Sequence, residues 1–70
     1  MLKVYNENKF IASFENLKDA RAFVTSILFS DYSRKGYSLV SINFPRRGKP
    51  YIYTFGKKGF YKTVYIYRFL

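Results

Sequence analysis

The sequence predicts a single small α+β domain of ββαβββ order, a small antiparallel sheet with one helix packed on one face. Three observations lead there. A chain of 70 residues suffices for one domain and no more. One helical pattern of apolar residues occupies its first half. Short runs rich in Tyr, Phe, Val and Ile flank that pattern, separated by turns carrying Gly, Pro and Asn.

Residues 2–5 and 10–14 read as two short strands around Asn6-Glu7-Asn8-Lys9, a polar turn of residues that tolerate unusual backbone angles. Asn16 is a good helix N-cap, and Asp19 stands where a capping box places its acid. Leu17, Ala20, Val24, Ile27 and Leu28 then form an apolar stripe roughly 100° wide, with Phe23 on its flank. Lys18, Asp19, Ala22, Thr25 and Ser26 face away, and the helix is expected to end near Ser30. A loop over 30–36 leads to strands at 37–44, 51–55 and 60–69. Pro45 and Pro50 bracket the first intervening turn, where they end ladder pairing. Gly56-Lys57-Lys58-Gly59 forms the second, its glycines offering the positive backbone angles a tight hairpin requires.

Period-two alternation assigns the faces. With Phe44 paired to Tyr51 and Phe55 to Phe60, one face holds Val40, Ile42, Phe44, Tyr51, Tyr53, Phe55, Phe60, Val64 and Ile66. The helical stripe covers that set. The other face carries Leu39, Ser41, Asn43, Ile52, Thr54, Tyr61, Thr63, Tyr65, Tyr67 and Phe69. Lys62 and Arg68 share parity with the core and are expected near strand ends, their charged heads extended outward. A bulge at Gly59 would instead invert the last strand.

Thirteen Lys and Arg stand against four acids, for a net charge of +9. That balance points to an anionic partner; the plainer reading is a basic surface kept for solubility. There is no Cys and no His, which removes disulfides, thiolate metal sites and the usual general base. No cofactor or metal is expected. The acids Glu7, Glu15, Asp19 and Asp31 fall on separate elements. Gly56–Gly59 is too short for a phosphate loop and joins two strands, and the hydroxyls lack an activating base. The chain therefore reads as a binding protein and not an enzyme. Its N-terminus lacks a signal-peptide pattern, and the apolar stretch over 20–29 falls short of the ~20 residues a membrane span needs. A cytoplasmic protein without membrane association is expected.

The binding surface is expected on the tyrosine-rich face. Tyr61, Tyr65 and Tyr67 are candidate stacking platforms for bases. Arg46, Arg47 and Lys49 on the first turn, with Lys57 and Lys58 on the second, are candidate phosphate contacts. The plainer reading makes the tyrosines ordinary strand formers packed cross-strand. In a third, the face pairs with a second copy or another protein. The leading expectation is binding of DNA or RNA, unpaired ahead of duplex because stacking needs free bases. Its rival is a regulator or inhibitor that docks onto an acidic surface of a host protein or nucleoprotein machine. In size, basicity and Tyr/Lys-rich composition the chain looks like small accessory proteins of bacteriophages and other mobile elements. That resemblance implies action by binding and blocking a host machine, and it carries over no individual residue. The last strand, with its aromatic end at Tyr65–Leu70, is expected to be an open edge through which a homodimer would form.

Overall fold

The computed structural model describes residues 1–44 and 48–69. Two strands, β1 (Leu2–Asn6) and β2 (Lys9–Phe14), precede a continuous helix made of α1 (Leu17–Phe23), a π-helical turn (Val24–Leu28) and α2 (Phe29–Arg34). Three strands follow: β3 (Ser38–Asn43), β4 (Tyr51–Lys57) and β5 (Phe60–Arg68). The fold is the expected α+β arrangement of ββαβββ order. All five strands join one antiparallel sheet in the order β2-β1-β5-β4-β3, with the helix packed on one face.

The last strand lies at the centre of this sheet and not at its edge: β1 pairs with one side of β5 and β4 with the other. Its Val64 and Ile66 are accordingly buried. A homodimer through this strand has no free edge to use. The open edges are β2 and β3, and each is interrupted by a register shift, opposite Val4/Tyr5 and between Leu39/Ser41. Bulges of this kind bend an edge away from pairing with another chain.

The helix starts as its sequence dictates. The Asn16 side-chain oxygen accepts the Asp19 amide at 2.9 Å, and the Asn16 side-chain amide donates to the Asp19 carboxylate at 3.2 Å. Ala20, Val24, Leu28 and Tyr32 are buried at a strict four-residue spacing. On a regular α-helix such residues drift about 40° per step, carrying the fourth about 120° off the sheet. The wider i→i+5 turn at Val24–Leu28 takes up that drift. Thr25 and Ser26 return their hydroxyls to the carbonyls of Arg21 and Ala22, bonds that compete with the regular ladder where it widens. Ile27, expected in the core stripe, is thereby turned outward and 53% exposed, while Tyr32 takes its place. Residues 30–34 are consequently helix and not loop. The helix ends in a Schellman motif: the Tyr37 amide reaches the Tyr32 carbonyl at 2.9 Å and the Gly36 amide reaches that of Ser33 at 3.0 Å. Gly36 supplies the left-handed residue (φ 89°), and the Tyr32 and Tyr37 rings meet edge to face at 5.3 Å.

Tyr53 and Phe55 of β4, Val64 and Ile66 of β5, and Leu2 and Val4 of β1 form the sheet side of the core. The face assignment holds for β4 and β5 with a two-residue shift. Phe55 opposes Lys62, not Phe60, because the turn is the two-residue Lys58-Gly59 and Gly56 remains inside the strand. A shift of two preserves parity, so Tyr61, Thr63, Tyr65 and Tyr67 still face away from the helix. There is no bulge at Gly59, and Lys62 and Arg68 are exposed as expected.

Besides Ile27, three residues expected on the sheet side of the core are not in it. Val40 is the bulged residue of β3, and the bulge exchanges it with Leu39: Leu39 packs against the core, while Val40 is 58% exposed. Phe60 lies beyond the helix and is 67% exposed. Phe44, just past β3, is 55% exposed, with its ring edge-on to Tyr51 at 5.6 Å.

Candidate nucleic-acid interface

On the helix-free face, alternation brings together Lys3 and Tyr5 of β1, Phe10 of β2, Tyr65 and Tyr67 of β5, and the following Phe69. Tyr5 opposes Phe10 on one side and Tyr65 on the other, and Lys3 opposes Tyr67. The rings form one connected row. Centroids are 5.7 Å apart for Phe10–Tyr5, 5.4 Å for Tyr5–Tyr67, 5.8 Å for Tyr65–Tyr67 and 6.3 Å for Tyr67–Phe69. Lys3 extends over the end of the row, its Nζ 4.9 Å from the Phe69 centroid. Tyr67 is the hub, touched by three rings. Phe10, Tyr65 and Phe69 sit on its periphery, with ring surface left free.

Tyr65 and Tyr67 are therefore brought together, but Tyr61 stands apart, opposite Gly56 towards the other end of β5. A Cβ on Gly56 would lie 2.8 Å from Val40 Cγ2 and 3.0 Å from the Tyr61 ring. The missing side chain lets both residues close over the backbone, and Tyr61 remains 61% exposed.

The candidate cations divide. Lys57 shares the parity of Tyr53 and Phe55 and turns to the helix side. Its Nζ donates to the Lys35 carbonyl at 2.9 Å and lies 5.3 Å from the Tyr37 centroid. A cation there complements the negative end of the helix dipole. Lys58 remains at the tip of the β4–β5 hairpin, whereas Lys49 lies at the other end of β4. Seven residues of strand separate the two turns by about 20 Å, so they flank opposite ends of the face and do not share a rim. Arg46 and Arg47 lie outside the described residues.

Alternation placed Phe69 on this face without naming it as a contact, and Lys3, Tyr5 and Phe10 were not placed there by the sequence pattern. The signal was nevertheless present: Lys3 and Tyr5 alternate with the apolar Leu2 and Val4, which places them on the opposite face once β1 is paired with β5.

None of the five strands contains an acid. Glu7 lies in the first turn, Glu15 precedes the helix, and Asp19 and Asp31 lie within it. Among the described residues the one ion pair is the exposed Arg34–Asp31, and no group of His, Cys, Asp or Glu is placed to hold a metal ion. No helix of the described residues is long and apolar enough to cross a membrane. A cleft of about 300 Å³ on the helix side gathers Glu7, Asp31, Lys35 and Lys62 around Tyr32. Burial pushes the Tyr32 phenol above its ordinary pKa, and its O–H donates to the Asn6 side-chain oxygen. The cleft mixes charges of both signs. No family model matches the chain, and neither a curated protein nor a solved structure matches it.

Proposed function

We propose that this protein is a non-enzymatic nucleic-acid-binding module that engages unpaired bases on the helix-free face of its sheet. The observation that carries the reading is the row of rings from Phe10 through Tyr5 and Tyr67 to Tyr65 and Phe69, with Lys3 over its end. It lies on strands that contain cations and no acid. Aromatic rings accept the flat faces of unpaired bases, and nearby ammonium groups take the phosphates. Lys3 and the turn residues Lys49 and Lys58 are the cations that flank this face. Tyr67 acts as the scaffold of the row, and Phe10, Tyr65 and Phe69 offer the stacking surface.

Fluorescence anisotropy with single-stranded and duplex oligonucleotides tests this directly. Single strands should bind more tightly, and Tyr65→Ser or Phe69→Ser should weaken them by roughly 5- to 100-fold at the ~1–3 kcal/mol typical of a base stack. With three phosphate contacts the log–log salt slope should be near about −2 to −3. Equal affinity for duplex, or affinity indifferent to these ring substitutions, would overturn the reading. A regulator that docks on an acidic protein is the second reading, and the cationic helix flank of exposed Lys18 and half-buried Arg21 favours it.

A further inference from the structure

One helix cannot cover a five-stranded sheet. Four inter-strand spacings make the sheet about 19 Å wide, whereas a helix with its side chains is about 10–12 Å across. Here the helix also runs diagonally, with α1 against β1 and β2 and α2 against β3. Two corners of the helix-side face are left uncovered. At one, beside β1, lies the cleft around Tyr32, lined by charges of both signs. The other lies beside the end of β3 and the start of β4, and its chemistry is different.

This second corner has an apolar floor of half-buried Ile42 and Tyr51 and exposed Phe44. Its wall is the helix flank Lys18, Arg21, Ala22 and Thr25, which with Leu17 lines an open groove of about 410 Å³. Arg21 is held in place on two sides. Its Nε donates to the Tyr53 hydroxyl at 3.2 Å, and its guanidinium carbon lies 4.7 Å from the Phe44 centroid. It has no carboxylate partner among the described residues. A guanidinium fixed through Nε and through its flat face still presents its terminal N–H groups for a bidentate carboxylate. Neither the groove lining nor the floor contains an acid.

We propose that this corner docks an acidic amphipathic helix of a partner protein, laid beside α1 on the ends of β3 and β4. The uncovered width, about 7–9 Å by these dimensions, is close to the ~8–10 Å between the axes of packed helices, and a second helix would extend the two-layer architecture. Its apolar face would cover Ile42, Phe44 and Tyr51, and a Glu or Asp on its flank would pair with Arg21 and Lys18. A nucleic acid fits less well. One face of Phe44 is already occupied by Arg21 and its ring lies edge-on to half-buried Tyr51, which leaves little ring surface for a base.

The test is NMR titration of the 15N-labelled protein with a synthetic amphipathic helix bearing Leu on one face and Glu on its flanks. A version with Lys replacing Glu and an oligothymidine serve as separate titrants. The Glu peptide should shift resonances of Lys18, Arg21, Thr25, Ile42 and Phe44, and should bind at least tenfold more tightly than the Lys peptide. Arg21→Gln should weaken it about tenfold. Lys18→Glu, an exposed change that leaves the Arg21 contacts intact, should also weaken it and guards against a folding defect in the first variant. Tyr65→Ser should have no effect. Absence of Glu-peptide binding, shifts confined to the aromatic face, or displacement of the peptide from the corner by oligothymidine would overturn the proposal. Because Tyr65→Ser separates the two surfaces, failure here leaves the nucleic-acid reading to its own test.

Discussion

On the helix-covered face, Tyr53 and Phe55 are shut in by α1, α2 and the neighbouring strands; on the opposite face, Tyr5, Tyr65 and Tyr67 pack within a single layer, against one another, their flanking rings and cross-strand neighbours such as Ile52. Both faces arise from the same alternation of aromatic residues, so composition does not distinguish them. The helix does. Phe55 is stacked by Tyr32 at 4.6 Å and met edge-on by Phe29 at 6.2 Å, both from α2. The free face has no second layer, and its rings cover each other's edges while leaving ring surface to solvent. Similar residues thus supply cohesion on one side and a candidate contact surface on the other.

The largest effect expected is the one that breaks this contrast if it is false. Phe55→Ala should cost about 3–5 kcal/mol, which in so small a domain approaches the lower end of typical total stabilities of about 5–15 kcal/mol. Tyr65→Ala loses a half-buried ring of the single-layer face and should cost less, about 1–3 kcal/mol. Urea unfolding of the two variants makes the comparison. Equal losses would mean that the free face is a second core and not a surface held ready for a ligand.

Gly56→Ala should come next. The added methyl meets Val40 Cγ2 at 2.8 Å and the Tyr61 ring at 3.0 Å on the free face, a clash expected to cost about 1–3 kcal/mol. Val40→Ala should relieve part of it, so a double-mutant cycle should return a coupling of at least about 0.5 kcal/mol. Strict additivity would mean that Val40 does not press on that backbone.

A third change probes the helix side. Tyr32→Phe removes the hydrogen bond to Asn6 and should cost about 1 kcal/mol. It should also alter alkaline behaviour. The folded-state pKa of Tyr32 is raised, so the unfolded chain loses this proton first as pH rises. Its contribution is therefore fully present below the ordinary tyrosine value of about 10 and is lost as pH climbs through the folded-state pKa. Urea midpoints measured from pH 8 upward should fall less steeply above pH 10 in Tyr32→Phe than in the parent.

Much of this architecture was legible in the sequence, because alternation is insensitive to register shifts of two. Tyr53, Phe55, Val64 and Ile66 face the helix even though the β4–β5 turn proved two residues shorter than the glycines suggested. Features that break a simple period were hidden. The bulge at Val40 exchanges two neighbours without any Gly or Pro to mark it. The π turn converts a 3.6-residue stripe into a four-residue one, and the adjacent Thr25-Ser26 was its only local sign. The candidate site suffered from a different gap. Strand order is a long-range property, and without the β1–β5 pairing nothing placed Lys3, Tyr5 and Phe10 beside Tyr65 and Tyr67.

The smallest expected effect on stability lies outside both ring layers, at the β4–β5 turn. Lys58 sits in the left-handed region at φ 44° and Gly59 at φ 88°, the pair of positive angles that suits a two-residue hairpin. Glycine adopts such angles freely and asparagine tolerates them far better than lysine does. The turn therefore carries a strain that its sequence only half relieves. Lys58→Asn should stabilise the domain by a few tenths to about 1 kcal/mol, read as a higher urea midpoint at unchanged slope. It also removes one of the cations flanking the aromatic face. Single-strand affinity should therefore fall slightly and its salt slope become shallower by about 0.7, while unfolding stability rises. A simultaneous rise in stability and a shallower salt slope would separate folding from binding at one residue. If stability alone changes, Lys58 is a turn residue only, and the phosphate contacts of the free face must lie nearer Lys3.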